Sequence, residues 1–393
     1  MMSAHVSLSF SSITLRIARS LPLSMIPRRG ILGPYSTIRH FSSRRAVIYS
    51  GAGDPAQVLS VSKVSSLPDS VPAGHVGIKF LLSPINPADL NVVQGVYPSK
   101  PTIRDNLGTP SPAFIGGNEG VGQVEKLGDG VTELAVGDWV VMIKPQSGTW
   151  ASHAHVESKN VTKVDKRVGE ARAATITVNP PTARGMLSDF RDLEEGDYVI
   201  QNGANSAVGQ AVIQIAAARK LRTINVVRDR PSINELKRYL VTLGATHVIT
   251  EQELADGSMR TRLKEWTQGK EIKLGLNCVG GKPTTILAKH LGYNAALVSY
   301  GAMSKGPLSL PTESYFVRIL ANSMVKYETH TSEERQSMLQ EITELMLENK
   351  LRAPEHEVLI VPESDEDATH ILREKLKQID AGRYGKKLLL KFG

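Results

Sequence analysis

The sequence predicts an α/β protein with two domains, one rich in β-strands and one built on a doubly wound parallel sheet. Its 393 residues are enough for two hydrophobic cores. From about residue 45 to residue 168, short apolar runs alternate with Gly and Pro turns, which is typical of a barrel-like β domain. From about residue 171 to residue 299, strand-like and helix-like segments alternate, which predicts the parallel sheet.

The first 45 residues differ in composition from the rest of the chain. They contain seven arginines, no lysine and no acidic residue, and they are rich in serine. This composition is typical of a mitochondrial transit peptide, and a basic tail without a targeting role is the alternative. Because arginines interrupt the apolar stretches, we expect neither a secretory signal nor a membrane span. Cleavage is expected near residues 42–46.

The formal net charge of +8 comes mostly from that leader. Of the 47 basic residues, 40 remain against 39 acidic residues when residues 1–45 are set aside. A nearly neutral body removes the electrostatic argument for a nucleic-acid partner. The single cysteine, Cys278, ends an apolar strand pattern, so neither an intrachain disulfide nor a thiolate metal cluster can form.

A strand, a turn of small residues and a helix follow one another near the middle of the chain. Gly196–Ile200 predicts a buried strand, Ala211–Ala218 a helix and Thr223–Val227 a second strand. Aligned on Gly209, the turn reads Ala204-x-Ser206-x-x-Gly209, an imperfect form of the dinucleotide-binding pattern. Small residues allow backbone N–H groups to approach a pyrophosphate, which the helix N-terminus stabilises. The turn therefore predicts a dinucleotide site.

The residues after the second strand indicate which dinucleotide. Arg228-Asp229-Arg230 begins 19 positions beyond Gly209, where an NAD enzyme would carry an acidic residue for the ribose 2′-OH. Because a guanidinium can bind a 2′-phosphate bidentately, Arg228 favours NADPH over NADH. The alternative is a solvated Arg-Asp-Arg turn.

The last part of the chain predicts two helices and a strand. Thr331 and Glu334 have the spacing of a capping box at the start of the first helix. A second helix is expected from about Asp365 to Ala381, followed by the basic strand Lys386–Phe392. We expect these closing elements to return to the first domain, so that the nucleotide domain is an insertion.

Three further motifs resemble the medium-chain dehydrogenase/reductase superfamily, namely Ser83–Asn91, Gly116–Gly122 and Val136–Val140. The zinc enzymes of that superfamily carry a ligand cysteine where Asn86 stands and a ligand histidine where Asn118 stands. An amide replaces neither a thiolate nor an imidazole as a ligand of catalytic zinc. The sequence therefore indicates a zinc-free member.

Within that superfamily, the sequence resembles the mitochondrial trans-2-enoyl-thioester reductases, which are enoyl-[acyl-carrier-protein] reductases. The motifs that carry this resemblance are Gly95–Pro101, Gly116–Gly120, Gln201–Ala218 and Asn225–Arg230. The resemblance implies NADPH-dependent reduction of enoyl thioesters of acyl carrier protein or CoA, by a homodimer in the mitochondrial matrix. It also implies a GroES-like β-rich catalytic domain at residues 46–175 and 335–393 and a Rossmann NADP-binding domain at residues 176–334.

The resemblance also implies roles for individual residues. Reduction of an enoyl thioester needs hydride at Cβ, stabilisation of an enolate-like oxygen and a proton at Cα. A phenol can hydrogen-bond to the developing charge and donate the proton, and the proton-donating tyrosine of the family falls on Tyr97. The implied cofactor-binding residues are Asn179, Asn205, Ser206, Ala207, Val208, Arg228, Asp229, Arg230, Tyr300, Gly301, Ala302, Met303 and Lys386, with Lys387 as the alternative to Lys386.

One stretch departs from the family pattern. Residues 314–325 lack a Phe-Trp pair that the family places along the cofactor and acyl cavity. Either the acyl pocket is reshaped or the sequence is altered there. Two other functions stay open on sequence grounds: a quinone or enone reductase of the same fold, and a nucleotide-binding interaction protein that has lost catalysis.

Overall fold

The computed structural model describes residues 44–304, 306–307, 318–321 and 330–393. The predicted leader therefore lies outside the described residues, apart from Arg44 and Arg45. Of the departing stretch, only the strand Arg318–Ala321 is described. Among the helices in these ranges, none has the length and apolar character needed to cross a bilayer.

The strands of the described ranges are, in chain order, β1 (Arg45–Tyr49), β2 (Ser60–Lys63), β3 (His75–Pro84), β4 (Phe114–Ile115), β5 (Val121–Leu127), β6 (Trp139–Met142), β7 (His153–Glu157), β8 (Val161–Lys163), β9 (Tyr198–Asn202), β10 (Arg222–Val227), β11 (His247–Thr250), β12 (Leu274–Asn277), β13 (Ala296–Ser299), β14 (Arg318–Ala321), β15 (His356–Val361) and β16 (Lys387–Phe392). The α-helices are α1 (Pro55–Val58), α2 (Pro87–Val93), α3 (Glu170–Ala174), α4 (Asn179–Ser188), α5 (Ala207–Ala218), α6 (Ile233–Thr242), α7 (Glu251–Ala255), α8 (Met259–Trp266), α9 (Gly281–Ala288), α10 (Ser332–Leu347) and α11 (Asp365–Asp380).

The β-rich part consists of two sheets. A three-stranded sheet has the order β2-β1-β4, and a seven-stranded sheet has the order β15-β16-β3-β5-β6-β8, with β7 also pairing with β3. The last strand, β16, runs parallel to β15 and antiparallel to β3, with Leu389 opposite Pro84. The end of the chain is therefore hydrogen-bonded to a strand that lies about 300 residues earlier.

The second part is a six-stranded sheet with the order β11-β10-β9-β12-β13-β14, in which every pair is parallel. This confirms the predicted α/β fold with a doubly wound sheet. All five residues of the central strand β9 are buried, as expected for a strand covered by helices on both faces. Since the strands are parallel, the loops that follow them meet at one edge of the sheet.

Element boundaries differ from the prediction by a few residues. Helix α5 begins at Ala207, four residues before the predicted start, because the Ser206 side chain caps it. The sequence Gly244–Ile249 also predicts a strand of this sheet, but β11 begins only at His247, because Gly244 adopts φ +102° and terminates helix α6.

Helix α10 begins at the predicted capping box. The Thr331 hydroxyl accepts from the Glu334 backbone N–H at 3.1 Å, and the Glu334 carboxylate accepts from the Thr331 N–H at 2.6 Å. On its inner face Met338, Ile342 and Met346 are buried in the largest apolar cluster. That cluster contains residues of α4, α5 and β9 and also Leu82, Val121 and Val141 of the β-rich part, so α10 packs on a core that both parts share.

Candidate active site

The turn between β9 and α5 has the geometry of an anion-binding loop. The Ser206 hydroxyl accepts from the Gly209 N–H at 3.1 Å. A Cβ added at Gly209 would lie 2.6 Å from the carbonyl oxygen of Ala204, so only glycine allows this close approach of backbone. The first N–H groups of α5 have no carbonyl partner within the helix. Four of the predicted cofactor residues lie at this helix start, namely Asn205, Ser206, Ala207 and Val208. The loop therefore fits a dinucleotide pyrophosphate.

The basic residues predicted for the 2′-phosphate follow the neighbouring strand. In the register of β10 with β9, Val226 lies opposite Asn202, so Arg228 emerges at the same sheet edge as the turn. Arg228 and Asp229 are exposed, and Arg230 is half-buried. The Arg230 backbone N–H donates to Asp229 Oδ1 at 2.9 Å. The Asp229 carboxylate therefore accepts a hydrogen bond from the backbone of its own turn. The Arg228 side chain is exposed to solvent.

Tyr300 directly follows strand β13, and its side chain lies at the turn between β9 and α5. Its hydroxyl is excluded from solvent and lies beside the Cys278 thiol and the Ser206 hydroxyl. Burial, together with the nearby Cys278 thiol, raises the pKa of Tyr300 well above its usual range, and the Ser206 hydroxyl opposes that rise. Two predicted cofactor residues almost a hundred positions apart, Tyr300 and Ser206, therefore lie next to each other.

The three residues after Tyr300 form a close turn over Cys278. The Met303 N–H donates to the Cys278 carbonyl at 3.0 Å. A Cβ added at Gly301 would lie 3.1 Å from that same carbonyl oxygen. Ala302 is exposed, and Met303 is 63% exposed. The segment therefore offers backbone groups, two small residues and the exposed Met303 side chain at the edge of the sheet.

The candidate proton donor lies on the loop that follows α2. Gly95 follows the C-terminal cap of α2 and adopts a positive φ of +77°. Tyr97 lies two residues later and has a half-buried side chain. The helix that leads to it begins directly after Asn86. Asn86 accepts a hydrogen bond from Asn179 Nδ2 at 3.3 Å, so the start of α2 lies beside a predicted cofactor residue.

Asn86 also belongs to a buried polar cluster. Its Nδ2 donates to Glu119 Oε1 at 2.7 Å, and Glu119 is fully buried. The other Glu119 oxygen accepts from the Val178 N–H at 3.1 Å and from the Thr177 hydroxyl at 3.4 Å. Burial raises the pKa of Glu119, and these hydrogen bonds and the Lys387 ammonium lower it. This carboxylate joins the β-rich part to the segment that precedes α4.

A second buried carboxylate stands one helical turn after Asn86. Asp89 Oδ2 accepts from the Asn86 backbone N–H at 2.8 Å, whereas Asp89 Oδ1 is buried without a hydrogen-bond partner among the described residues. Burial raises the pKa of Asp89 to about 7, against the lowering effects of the Asn86 N–H and the Lys387 charge. Asp89 therefore keeps its proton at a higher pH than an ordinary aspartate does.

The structure distinguishes between the two lysines at the start of β16. Lys386 is half-exposed and pairs with Glu355 at 3.2 Å. Lys387 points to the opposite side of the strand, where its ammonium donates to Asn86 Oδ1. Burial lowers the pKa of Lys387, and the Glu119 and Asp89 carboxylates raise it. Lys387, and not Lys386, thus lies in the candidate site.

The donor set does not suit zinc. Asn86 offers an amide whose oxygen already accepts from an ammonium, and the Asn118 amide oxygen accepts from the Gln146 N–H at 2.8 Å. Zinc sites in proteins are built from thiolate, imidazole and carboxylate ligands. In the described ranges, no group of three or more such side chains is placed to hold a metal.

Sequence reasoning did not assign a role to Glu119, Asp89 or Thr177, and it treated Asn86 only as a missing metal ligand. The available signal was the presence of Glu119 inside the apolar, Gly-rich stretch Gly116–Gly122. A charged residue there requires a buried partner. Its partners lie on three distant segments, so the sequence could not name them.

Comparisons with known proteins agree with this geometry. The Alcohol dehydrogenase GroES-like domain family matches residues 72–169, and the Zinc-binding dehydrogenase family matches residues 207–344. The mitochondrial enoyl-[acyl-carrier-protein] reductase of Yarrowia lipolytica is 42% identical over 341 residues, which cover 86% of this chain and 88% of that protein.

Two solved structures are similar over most of their length. The Etr1p/NADP/crotonyl-CoA complex has a TM-score of 0.83 at 33% identity, covering 88% of this chain and 99% of that chain. The mitochondrial 2-enoyl thioester reductase Etr1p/Etr2p heterodimer from Candida tropicalis has a TM-score of 0.81 at 34% identity, with the same coverage. The relatives are named as mitochondrial proteins, and this protein is mitochondrial. The chain belongs to the mitochondrial enoyl-[acyl-carrier-protein] reductases of the medium-chain dehydrogenase/reductase superfamily.

Proposed function

We propose that this protein reduces trans-2-enoyl thioesters with NADPH. The observation that carries the proposal is the meeting, at one sheet edge, of the capped turn at Ser206 with the exposed guanidinium of Arg228. The capped turn can bind a pyrophosphate, and the Arg228 guanidinium can bind a 2′-phosphate. The family and the likeness to a complex of NADP with crotonyl-CoA support the thioester as substrate.

When bound, NADPH supplies a hydride. In the proposed arrangement, residues Asn205–Val208 hold the pyrophosphate, and Arg228–Arg230 hold the 2′-phosphate. Asn179 and the segment Tyr300–Met303 contact the nicotinamide half, and Lys387 takes the position that the family resemblance implied for Lys386. The catalytic part would comprise residues 46–175 and 335–393, and the nucleotide-binding part residues 176–334.

Tyr97 is proposed as the proton donor. Reduction adds hydride at Cβ of the thioester and a proton at Cα, so one acid is needed in addition to the cofactor. A phenol is neutral at pH 7 and can hydrogen-bond to the negative charge that develops on the thioester oxygen. Tyr97 would deliver the proton to Cα directly or through one water, and bulk solvent would restore it.

The natural thioester carrier and the assembly are part of the proposal. Acyl carrier protein is the favoured carrier because the relatives are named for it, and CoA is the alternative. We propose a homodimer in the mitochondrial matrix, formed through the nucleotide-binding parts. Strand β14 lies at the end of the six-stranded sheet and offers an edge for such a contact.

The test is NADPH oxidation by the purified protein with crotonyl-CoA, with crotonyl acyl carrier protein and with a small quinone. We expect turnover with the thioesters, and NADH in place of NADPH should support much slower turnover. Turnover with the quinone alone would favour the small-electrophile reductase. NADPH binding without turnover of any substrate would favour the interaction protein.

A further inference from the structure

Two arginines of the β-rich part, Arg44 and Arg104, lie close together and are largely excluded from solvent. Arg44 directly precedes β1 and is only 7% exposed, and Arg104 is half-buried in the loop between α2 and β4. Burial lowers the pKa of Arg44 to about 10, and the nearby charge of Arg104 adds to the lowering. The fold therefore brings two like charges together in a poorly hydrated place.

Backbone hydrogen bonds and apolar packing hold the two arginines in this arrangement. The Val64 N–H donates to the Arg44 carbonyl at 2.9 Å, and the Ser65 N–H donates to the Leu107 carbonyl at 2.7 Å. Val64 and Leu107 are buried in one apolar cluster. The loop that carries Arg104 is therefore attached to the segment beside Arg44, although the two guanidinium groups repel each other.

The carboxylates of the described residues do not balance these two charges. Arg44 Nε donates to the His153 carbonyl at 3.0 Å, which is a neutral acceptor. Burial lowers the pKa of Arg104 as well, and neither arginine has a described carboxylate close enough to raise its pKa. Residues 1–45 contain no acidic residue, so the leader supplies none. Buried cations without a counter-charge are strongly unfavourable, so the arrangement calls for an anion.

The neighbouring strands add to the positive charge. In the register of β3 with β5 and β7, His153 and His155 face the same side of the sheet as Lys79 and Lys126. Burial lowers the pKa of both histidines, and nearby basic groups add to the lowering. Glu125 opposes it at His153, whose Nε2 lies 3.7 Å from the Glu125 carboxylate. The field around the two arginines is therefore one that attracts anions.

We propose that Arg44 and Arg104 form a binding site for an oxyanion of the phosphate class. A guanidinium offers its N–H donors in a planar fork that matches two phosphate oxygens, so two forks can hold one tetrahedral anion. The bound anion balances both charges. Free phosphate and a phosphate ester, such as the 3′-phosphate of CoA, share this chemistry. The site uses none of the residues proposed for NADPH and goes beyond the proposed function.

Thermal unfolding with phosphate tests the site, with sodium chloride keeping the ionic strength constant. The variants Arg44→Gln and Arg104→Gln are made in the full chain. At about 20 mM phosphate and a dissociation constant of about 1 mM, we expect the wild-type melting temperature to rise by about 2–4 °C. Each variant should lose most of this shift. Arg167→Gln, at a surface arginine that pairs with Asp165 at 2.6 Å, is the matched control and should keep it.

Two results of this experiment overturn the inference. The first is a wild type that phosphate stabilises no more than chloride does. The second is a phosphate shift that Arg44→Gln and Arg104→Gln retain, because phosphate also stabilises proteins by exclusion from their surfaces. If circular dichroism shows that Arg44→Gln does not fold, Arg104→Gln decides alone, since it changes a half-buried side chain in a loop.

CoA and 3′-dephospho-CoA distinguish the two sources of the phosphate group. If CoA raises the melting temperature more than 3′-dephospho-CoA does, and Arg104→Gln loses that difference, the ligand is a phosphate ester. If the two compounds act equally while inorganic phosphate acts through the arginines, the ligand is free phosphate. Both results support the site and differ only in its natural ligand.

The site also requires Arg44 in the mature protein. N-terminal sequencing of the protein isolated from mitochondria should show a chain that begins at or before Arg44. A mature chain that begins at Arg45 or later would lack one of the two guanidinium groups and would overturn the inference.

Discussion

Asn86 Nδ2 donates to Glu119 Oε1 over 2.7 Å, although neither side chain reaches solvent. This pair joins the residue that caps the start of α2 to a carboxylate that also accepts from the Val178 N–H. The contact therefore ties the start of α2 and the residue directly before the predicted cofactor residue Asn179 to one internal cluster. A buried carboxylate of this kind is retained only where its oxygens are hydrogen-bonded and its charge is balanced, here by Lys387.

Replacement of Tyr97 by phenylalanine tests the proton donor. Tyr97→Phe should lower turnover with crotonyl-CoA at least about tenfold, the low end for loss of a general acid. NADPH affinity should be kept, because the hydroxyl is assigned to the substrate. Tyr293→Phe, at a tyrosine 72% exposed, is the matched control. Equal turnover in Tyr97→Phe and wild type would remove Tyr97 from the mechanism.

Replacement of Arg228 tests the choice of cofactor. Arg228→Ala should weaken NADPH binding about tenfold to a hundredfold, since a charge-assisted bidentate contact with the 2′-phosphate is lost. NADH has no 2′-phosphate, so its affinity should change by less than about twofold. Arg260→Ala, at an exposed arginine of α8, controls for the loss of one positive charge. A parallel loss for both nucleotides would contradict a phosphate contact.

Replacement of Gly209 tests the close approach of backbone in the turn. In Gly209→Ala the new methyl would lie 2.6 Å from the Ala204 carbonyl oxygen, so the turn must shift. We expect a loss of about 1–3 kcal/mol in the free energy of unfolding, typical of overpacking, and weaker NADPH binding. Gly257→Ala is the matched control, because no atom lies within 4 Å of its added Cβ. Thermal unfolding and NADPH titration are carried out on both variants. Unchanged stability and affinity in Gly209→Ala would show that the turn accommodates the methyl group.

The pH dependence of stability tests the buried carboxylate Asp89. Its pKa is raised from 3.8 to about 7 by burial, so between about pH 4 and pH 7 the folded protein binds a proton that the unfolded chain has released. The free energy of unfolding should therefore fall as the pH rises through this window, by up to about 4 kcal/mol from this group. Asp89→Asn should flatten the fall, and Glu119, whose pKa is also raised, should leave a remainder.

The measurement is denaturant unfolding at pH 5, 6, 7 and 8. Asp129→Asn, at an exposed aspartate, controls for the change of net charge. A wild type whose stability rises from pH 5 to pH 8 while Asp89→Asn behaves identically would show that Asp89 is ionised in the folded state throughout.

Much of the nucleotide site could be predicted because its residues are contiguous. The turn Ala204–Gly209 and the segment Arg228–Arg230 each follow a strand whose apolar run is visible in the sequence. Parallel pairing of β9 with β10 then requires both loops to lie at one sheet edge. The starts of α5 and α10 follow equally local rules, since the caps at Ser206 and Thr331 act within one helical turn.

Local sequence rules do not show which of Lys386 and Lys387 faces the candidate site. Successive side chains of a strand point to opposite faces, so a shift of one residue exchanges the buried lysine and the exposed one. The sequence Gly-Lys-Lys-Leu is compatible with either arrangement. The pairing of β16 with β15 and β3 makes the choice and directs Lys387 inward.

By itself, the sequence determined the fold class, the dinucleotide turn, the preference for a 2′-phosphate and the amides at the positions of metal ligands. Each of these depends on residues within a few positions of one another. Only the tertiary structure decided that Asn86, Glu119, Asn179 and Lys387 share one buried site. They are separated by up to 301 positions, and electrostatic complementarity between such distant groups acts only after the sheets have brought them within hydrogen-bond distance.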